Sequence, residues 1–213
     1  MRRSVEMSEL EEKINNKDRM NFKISNVVAT ANFETLKKLD LIQIAQKLKD
    51  TEYNPERFPG LILRLYNPKV TFLIFSTGKT VLTGLKTVDS ANKAVKKIVK
   101  IFKKNGIKLS NPEVSIRNLV ANGDLNTLID LDKAALMLDY AMYEPEVFPG
   151  LIYRNVEKKA VFLIFSTGKY VCVGTKSEEV IGKAIIELLK VINEHNLAKD
   201  NVIEDNYDEL IFI

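Results

Sequence analysis

The chain carries two copies of one long pattern. Tyr53-Asn-Pro-Glu-Arg-Phe-Pro-Gly-Leu-Ile-Leu-Arg64 returns as Tyr143-Glu-Pro-Glu-Val-Phe-Pro-Gly-Leu-Ile-Tyr-Arg154, with nine of the twelve positions identical. Phe72-Leu-Ile-Phe-Ser-Thr-Gly-Lys79 returns unchanged as residues 162 to 169, at the same spacing of 90 residues. Asn26-Val-Val-Ala29 returns as Asn118-Leu-Val-Ala121 after 92 residues, so the second copy is two residues shorter ahead of its Tyr motif. Two copies are too few for a solenoid. They predict a fold built of two similar halves related by a pseudo-two-fold axis. The halves are expected over 22–110 and 111–198, with a charged extension over 1–21 and a tail over 199–213.

Each half reads in the same order. An apolar strand comes first, over 22–29 and 114–121. A short amphipathic helix follows. Asp40 and Gln43 suit a capped start before Leu41, and Asp130 or Asp132 suits one for the helix over 131–138. Two prolines and a glycine within six positions make Pro-Glu-x-Phe-Pro-Gly a protruding loop. Three strands are expected next, over 61–66, 69–75 and 80–86, with turns at Asn67-Pro68 and Thr77-Gly78. Connections this short make the strands antiparallel neighbours. A long helix closes each half. One starts at Asp89 or Ser90 with Ala91, Ala94, Val95, Ile98 and Phe102 on one face. The other starts at Ser177 with Ile181, Ala184, Ile185, Leu188 and Ile192 on one face.

This arrangement leaves a surface unaccounted for. The segments 70–75 and 160–165 are apolar on both faces, whereas a sheet covered on one side normally alternates. Two long helices cover one face. The other is either an exposed apolar binding surface or is covered by a second sheet or a second copy of the chain.

Several function classes are excluded or set aside. One cysteine, Cys172, forms no disulfide within the chain, and with one histidine, His195, it makes a Cys/His zinc site implausible. No segment reaches the ~18 apolar residues of a membrane span. Residues 1–21 lack the apolar stretch of a signal peptide. Val5, Leu10 and Ile14 line at most a weak helix there, and a mobile tail is expected. The net charge of +4 is compatible with nucleic acid without establishing it. Thr77-Gly78-Lys79 lacks the spacing of a phosphate loop, and no nucleophile, general base or metal-ligand set is apparent, so no enzyme and no cofactor are expected.

Taken together and given twice, Asn-Val-Val-Ala, the Tyr motif, Leu-Ile-Phe-Ser-Thr-Gly-Lys and Thr-Gly-Leu-Lys resemble the TATA-box-binding protein family, over roughly residues 22–197. The two termini look archaeal. The resemblance implies an α+β fold, a curved antiparallel sheet (a saddle) with helices on the convex face. It implies a general transcription initiation factor whose concave face enters the minor groove of A/T-rich promoter DNA. Phe58 and Phe75 in one half, and Phe148 and Phe165 in the other, match the family's wedges. Asn26, Thr83 and Asn118 match its polar groove-floor residues, while Val173 stands where a threonine is expected. Val28 and Val120 match positions that crowd the guanine amino group. Arg57, Arg64, Lys79, Lys86, Arg154, Lys169 and Lys176 match phosphate contacts, and Lys69 and Lys159 are basic too. Glu144, Glu146 and Val147, in the second loop, match the contact with transcription factor B, with Val147 smaller than usual. RNA polymerase follows as a partner, and the location is cytoplasmic on the nucleoid if archaeal, nuclear if eukaryotic.

Two rival readings stand beside this one. A divergent paralogue would act as an accessory or competing factor with relaxed DNA selectivity, which Val173 and Val147 allow. An enzyme on the same fold, as in some DNA glycosylases, would need a catalytic domain for which no residues remain. The Lys-rich face of the first long helix (Lys93, Lys96, Lys97, Lys100, Lys103, Lys104) is by default solvated, with upstream DNA or an acidic partner as the other option. A free chain with such an apolar face also has the option of pairing with a second copy. Over 199–213 one Lys stands against five acids, a net of −4, ahead of an apolar Leu210-Ile-Phe-Ile213. A disordered tail or a locally paired edge strand is expected there, with masking of the DNA-binding face as the alternative.

Overall fold

The computed structural model describes residues 22–34, 37–107, 109–110 and 112–199. The expectations for 1–21 and for the tail after Lys199 therefore lie outside the described residues. The chain divides into two compact units, one of Ile24–Leu119 and one of the described residues from Val120 onward with 22–23. The first runs β1 (Phe22–Asn32), α1 (Leu41–Lys47), β2 (Thr51–Glu52), β3 (Leu61–Tyr66), β4 (Lys69–Ile74), β5 (Lys79–Leu85) and α2 (Val88–Lys104). The second repeats this as β6 (Val114–Asp124), which starts in the first unit, α3 (Leu131–Met137), β7 (Ala141–Met142), β8 (Leu151–Asn155), β9 (Ala160–Ile164), β10 (Lys169–Thr175) and α4 (Glu178–Glu194). Strand order is β2-β3-β4-β5-β1 in one and β6-β10-β9-β8-β7 in the other. The fold is α+β, as expected.

Strict alternation explains the doubly apolar strands. In β4, Val70, Phe72 and Ile74 are buried, while Thr71 and Leu73 are only half-buried. The β9 strand repeats this, with Ala160, Phe162 and Ile164 inside and Val161 and Leu163 half-buried. The buried set of the first unit lies in cross-strand rows, Leu61 with Ile74 and Thr80, and Leu63 with Phe72 and Leu82. The buried stripe of α2, which packs on β5, completes this core with Ala91, Ala94, Val95, Ile98 and Phe102. Burying each large apolar side chain of this kind contributes roughly 1.5–3 kcal/mol. Within β10, Cys172 is fully buried, and burial pushes its thiol up to about 12.

The helix starts follow from local chemistry. Asp40 and Asp130 cap the short helices, accepting from Gln43 N and Lys133 N. Ser177 caps α4, accepting from Val180 N. In α2 the cap is Thr87, not Asp89 or Ser90. Thr87 is extended, at φ −141, and its hydroxyl accepts from Ser90 N, so Asp89 instead falls in the first turn, where its charge suits the helix dipole. Two further differences arise at strand ends. Strands β1 and β6 run three residues beyond the expected ends. Strands β2 and β7 have only two residues each, too short for any periodicity to reveal.

The halves also differ at one hairpin. A two-residue turn with a cis Asn67-Pro68 bond joins β3 to β4. The equivalent turn in the second unit spans residues 156–159, and Asn155 takes the place of Leu65. Buried Asn155 donates to Glu187 Oε2 at 2.7 Å and accepts from Lys158 N at 2.9 Å, while Lys158 pairs with Glu187 at 2.7 Å.

Candidate nucleic-acid interface

The half-buried side chains lie on the sheet face that the long helices leave open. In the first unit Ile62, Leu73, Val81 and Thr30 make one cross-strand row, and Thr71 pairs with Thr83 in the next. In the second unit Ile152, Leu163 and Val171 make the first row, and Val161 pairs with Val173 in the next. Asn26 and Val28 alternate with buried Val27 and Ala29, and Asn118 and Val120 with buried Leu119 and Ala121, so all four belong to this open face.

Asn26 is held in place by a bulge. The β1–β5 register slips between Val27 and Ala29, and Gly84 takes φ +90 there, a backbone conformation that glycine adopts at no steric cost. The N–H of Gly84 donates to Asn26 Oδ1 at 2.8 Å, and Asn26 Nδ2 donates to Thr83 Oγ1 at 3.3 Å. With its oxygen engaged, Asn26 presents Nδ2 as a donor, and donors are what the A N3 and T O2 acceptors of the minor groove take.

Each unit ends in a pair of phenylalanine rings. Phe58 and Phe75 pack edge to face with centroids 5.7 Å apart, and Phe148 and Phe165 do so at 5.9 Å. Backbone bonds hold both members. Phe58 N donates to Asn54 O and Phe148 N to Glu144 O, while Phe75 N donates to Lys79 O and Phe165 N to Lys169 O. Gly60 and Gly150 make room for the rings, since a Cβ there would stand 2.7 Å from Phe58 Cε1 or 2.8 Å from Phe148 Cε1. All four rings are half-buried, so part of each stays open to solvent.

The basic residues named from the sequence (Arg57, Arg64, Lys79, Lys86, Arg154, Lys169 and Lys176) are all exposed. They are not equally available. Arg64 pairs with Glu52 at 3.3 Å, whereas the position equivalent to Glu52 in the second unit is Met142. Lys86 Nζ donates to Ser25 O at 2.6 Å. In the second loop Glu144, Glu146 and Val147 are exposed, Val147 to 80%.

Sequence reasoning missed part of both surfaces. Thr71, Val161, Ile62, Leu73, Ile152 and Leu163 were not singled out, although alternation with the buried set was a signal for them. It also missed Leu136, Met137, Tyr140 and Met142, exposed apolar residues on and near α3 and β7, two elements that pack together. Leu136, 86% exposed, sits on a seven-residue helix, too short for its pattern to show which residues face solvent.

Comparison with known proteins decides the family. The model for transcription factor TFIID (or TATA-binding protein, TBP) matches residues 21–105 and 113–195, one match per repeat. The chain belongs to the TATA-binding protein family. It is 48% identical over 174 residues to a TATA-box-binding protein of Pyrobaculum aerophilum, covering 81% of this chain and 86% of that one. A TATA-box-binding protein of Sulfolobus acidocaldarius is 46% identical over 177 residues, covering 83% and 89%. Among solved structures, Methanococcus jannaschii TBP superposes with a TM-score of 0.76 at 45% identity, over 82% of this chain and 99% of that chain. TATA-binding proteins are transcription factors without catalytic activity, and the chain is accordingly not an enzyme.

Proposed function

We propose that this chain is a general transcription initiation factor whose open sheet faces bind the minor groove of A/T-rich promoter DNA, with Phe58 and Phe75 wedging one end of the site and Phe148 and Phe165 the other. The observation that carries this reading is the doubled, outward-facing phenylalanine pair beside an apolar sheet face. Wedging a ring buries roughly 1.5–3 kcal/mol of apolar surface. Unstacking a base step costs a few kcal/mol, a general figure for minor-groove wedges of which this family is itself the type case. Each end therefore about breaks even. Net affinity comes from the remaining face and from phosphates neutralised by Arg57, Lys79, Arg154, Lys169 and Lys176, with Arg64 and Lys86 first leaving Glu52 and Ser25. Selectivity follows from the low cost of kinking TA-type steps and from Val28 and Val120 crowding guanine.

The partner reading places transcription factor B on Glu144, Glu146 and Val147, with RNA polymerase following it to the promoter. Archaeal relatives suggest a nucleoid-associated factor in the cytoplasm. The domain limits proposed from the repeats are 22–110 and 111–198. Selection from a random DNA pool tests the central reading. Enrichment of an A/T-rich site about eight base pairs long, with pyrimidine–purine steps at its ends, is expected. A pool that shows no enrichment would favour the accessory paralogue with relaxed selectivity.

The pair Val161 and Val173 gives a second, sharper expectation. Where the first unit sets Thr71 against Thr83, the second sets valine against valine, so this half offers fewer donors to base edges. Val173→Thr is expected to tighten binding to an A/T-rich duplex by about 0.5–1.5 kcal/mol, one net hydrogen bond. Fluorescence anisotropy titration checks it, and unchanged or weaker binding would remove Val173 from the groove floor.

A further inference from the structure

The described chain leaves the second unit beside its phenylalanine pair. Ala198 bridges to Ile129, and Lys199 N donates to Leu128 O at 2.8 Å. Ile129 N in turn donates to Ser166 O at 3.0 Å, and Leu125 N donates to Gly168 O at 3.0 Å. Residues 166–168 are the turn between Phe165 and Lys169. The last described residues therefore lie two backbone pairings from the turn that joins Phe165 to Lys169.

The residues that follow suit this unit. Residues 200–213 hold Asp200, Glu204, Asp205, Asp208 and Glu209, no Lys or Arg, and the apolar run Leu210-Ile-Phe-Ile213. The second unit carries exposed Arg154, Lys169 and Lys176 and an apolar open sheet face. That face is the more apolar of the two, because Val161 and Val173 stand where the first unit has Thr71 and Thr83. Eleven residues from Lys199 to Leu210 span up to about 36 Å when extended, and five strands at their usual spacing span about 24 Å. Reach is not limiting.

We propose that residues 200–213 dock on the open face of the second unit in the free protein, with acids on Lys169, Lys176 and Arg154 and the apolar run against Leu163, Val171 and the Phe148–Phe165 pair. The segment then competes with DNA for one half of the site. This rests on reading that face as the DNA-binding one, and it makes the second half the slower to engage.

The test compares the full chain, the chain ending at Lys199, and a full-length chain with Asp200→Asn, Glu204→Gln, Asp205→Asn, Asp208→Asn and Glu209→Gln. Methyl NMR spectra are recorded without DNA. Signals of Ile152, Leu163 and Val171 are expected to move on truncation and to move in the same direction, less far, in the neutralised chain. Stopped-flow association with an A/T-rich duplex is then expected to be about three- to tenfold faster for the truncated chain at low salt, converging at high salt as electrostatic steering is screened. Unmoved methyl signals overturn the proposal even if the on-rate rises, since net charge alone would then explain the rise. So do shifts confined to Ile62 and Val81, or shifts that depend on protein concentration, which would make the occupant a second copy. If no form binds DNA, the proposed function fails, and the methyl spectra still decide whether the segment docks.

Discussion

Phe148→Ala is expected to weaken binding to A/T-rich DNA by about 10- to 100-fold, the 1.5–3 kcal/mol of apolar burial that one ring makes on insertion. Bending, followed by fluorescence transfer between the duplex ends, falls with it. The fold loses far less. Phe148 is half-buried in a loop and its ring pairs edge to face with Phe165. Such a pair contributes about 0.5–1.5 kcal/mol, or a few degrees of melting temperature in a chain of this size. The same asymmetry applies to Phe58. Normal bending together with a collapsed melting temperature would make these rings core residues instead of wedges.

Gly168→Ala should do the opposite and strike the fold first. Gly168 has φ +83, and a Cβ built there would lie 2.1 Å from the carbonyl oxygen of Thr127. That neighbour is backbone, so it has no rotamer with which to move away. Strain of a left-handed alanine costs about 1–3 kcal/mol, and displacing the 125–129 segment adds to it, so a loss exceeding about 3 kcal/mol is expected. At roughly 2–4 °C per kcal/mol the melting temperature drops by about 10 °C. DNA binding suffers at the Phe165 end as well, because Gly168 N donates to Phe165 O in the turn that sets that ring. Gly106→Ala is the control. Its φ is +74 but nothing lies within 4 Å of a Cβ there. Equal losses in the two variants would show that the Thr127 contact is not what the glycine at 168 serves.

These two residues differ in how visible they are in the chain. The ring at 148 stands inside a motif repeated almost letter for letter, next to Pro-Gly, where an apolar side chain has no local reason to be. The glycine at 168 is also repeated, but nothing in Ser-Thr-Gly-Lys says that the Thr127 backbone passes against it. The sequence carries the first kind of information throughout. It carries the repeat, and with it two like units, two long helices whose buried stripes read correctly, and helix caps at Asp40, Asp130 and Ser177. The resemblance supplied the list of interface residues.

What it left open was always a matter of register between distant segments. Alternation marks two faces of β4 and β9 but does not say which one the helices cover, because both are apolar. That Asn26 is fixed by Gly84, 58 residues away, depends on a bulge that exists only once β1 lies beside β5. That Arg64 is held by Glu52 while Arg154 has Met142 in the same place needs β2 paired with β3, and β2 is two residues long. The pairing of Ala198 and Lys199 with Ile129 and Leu128 is likewise a contact of high sequence separation. Local pattern determined the elements, their caps and their doubling, since those forces act within a few residues. Only the tertiary structure decided which face stays open and which charges are already spoken for, since those depend on strand pairing and packing between residues far apart in the chain.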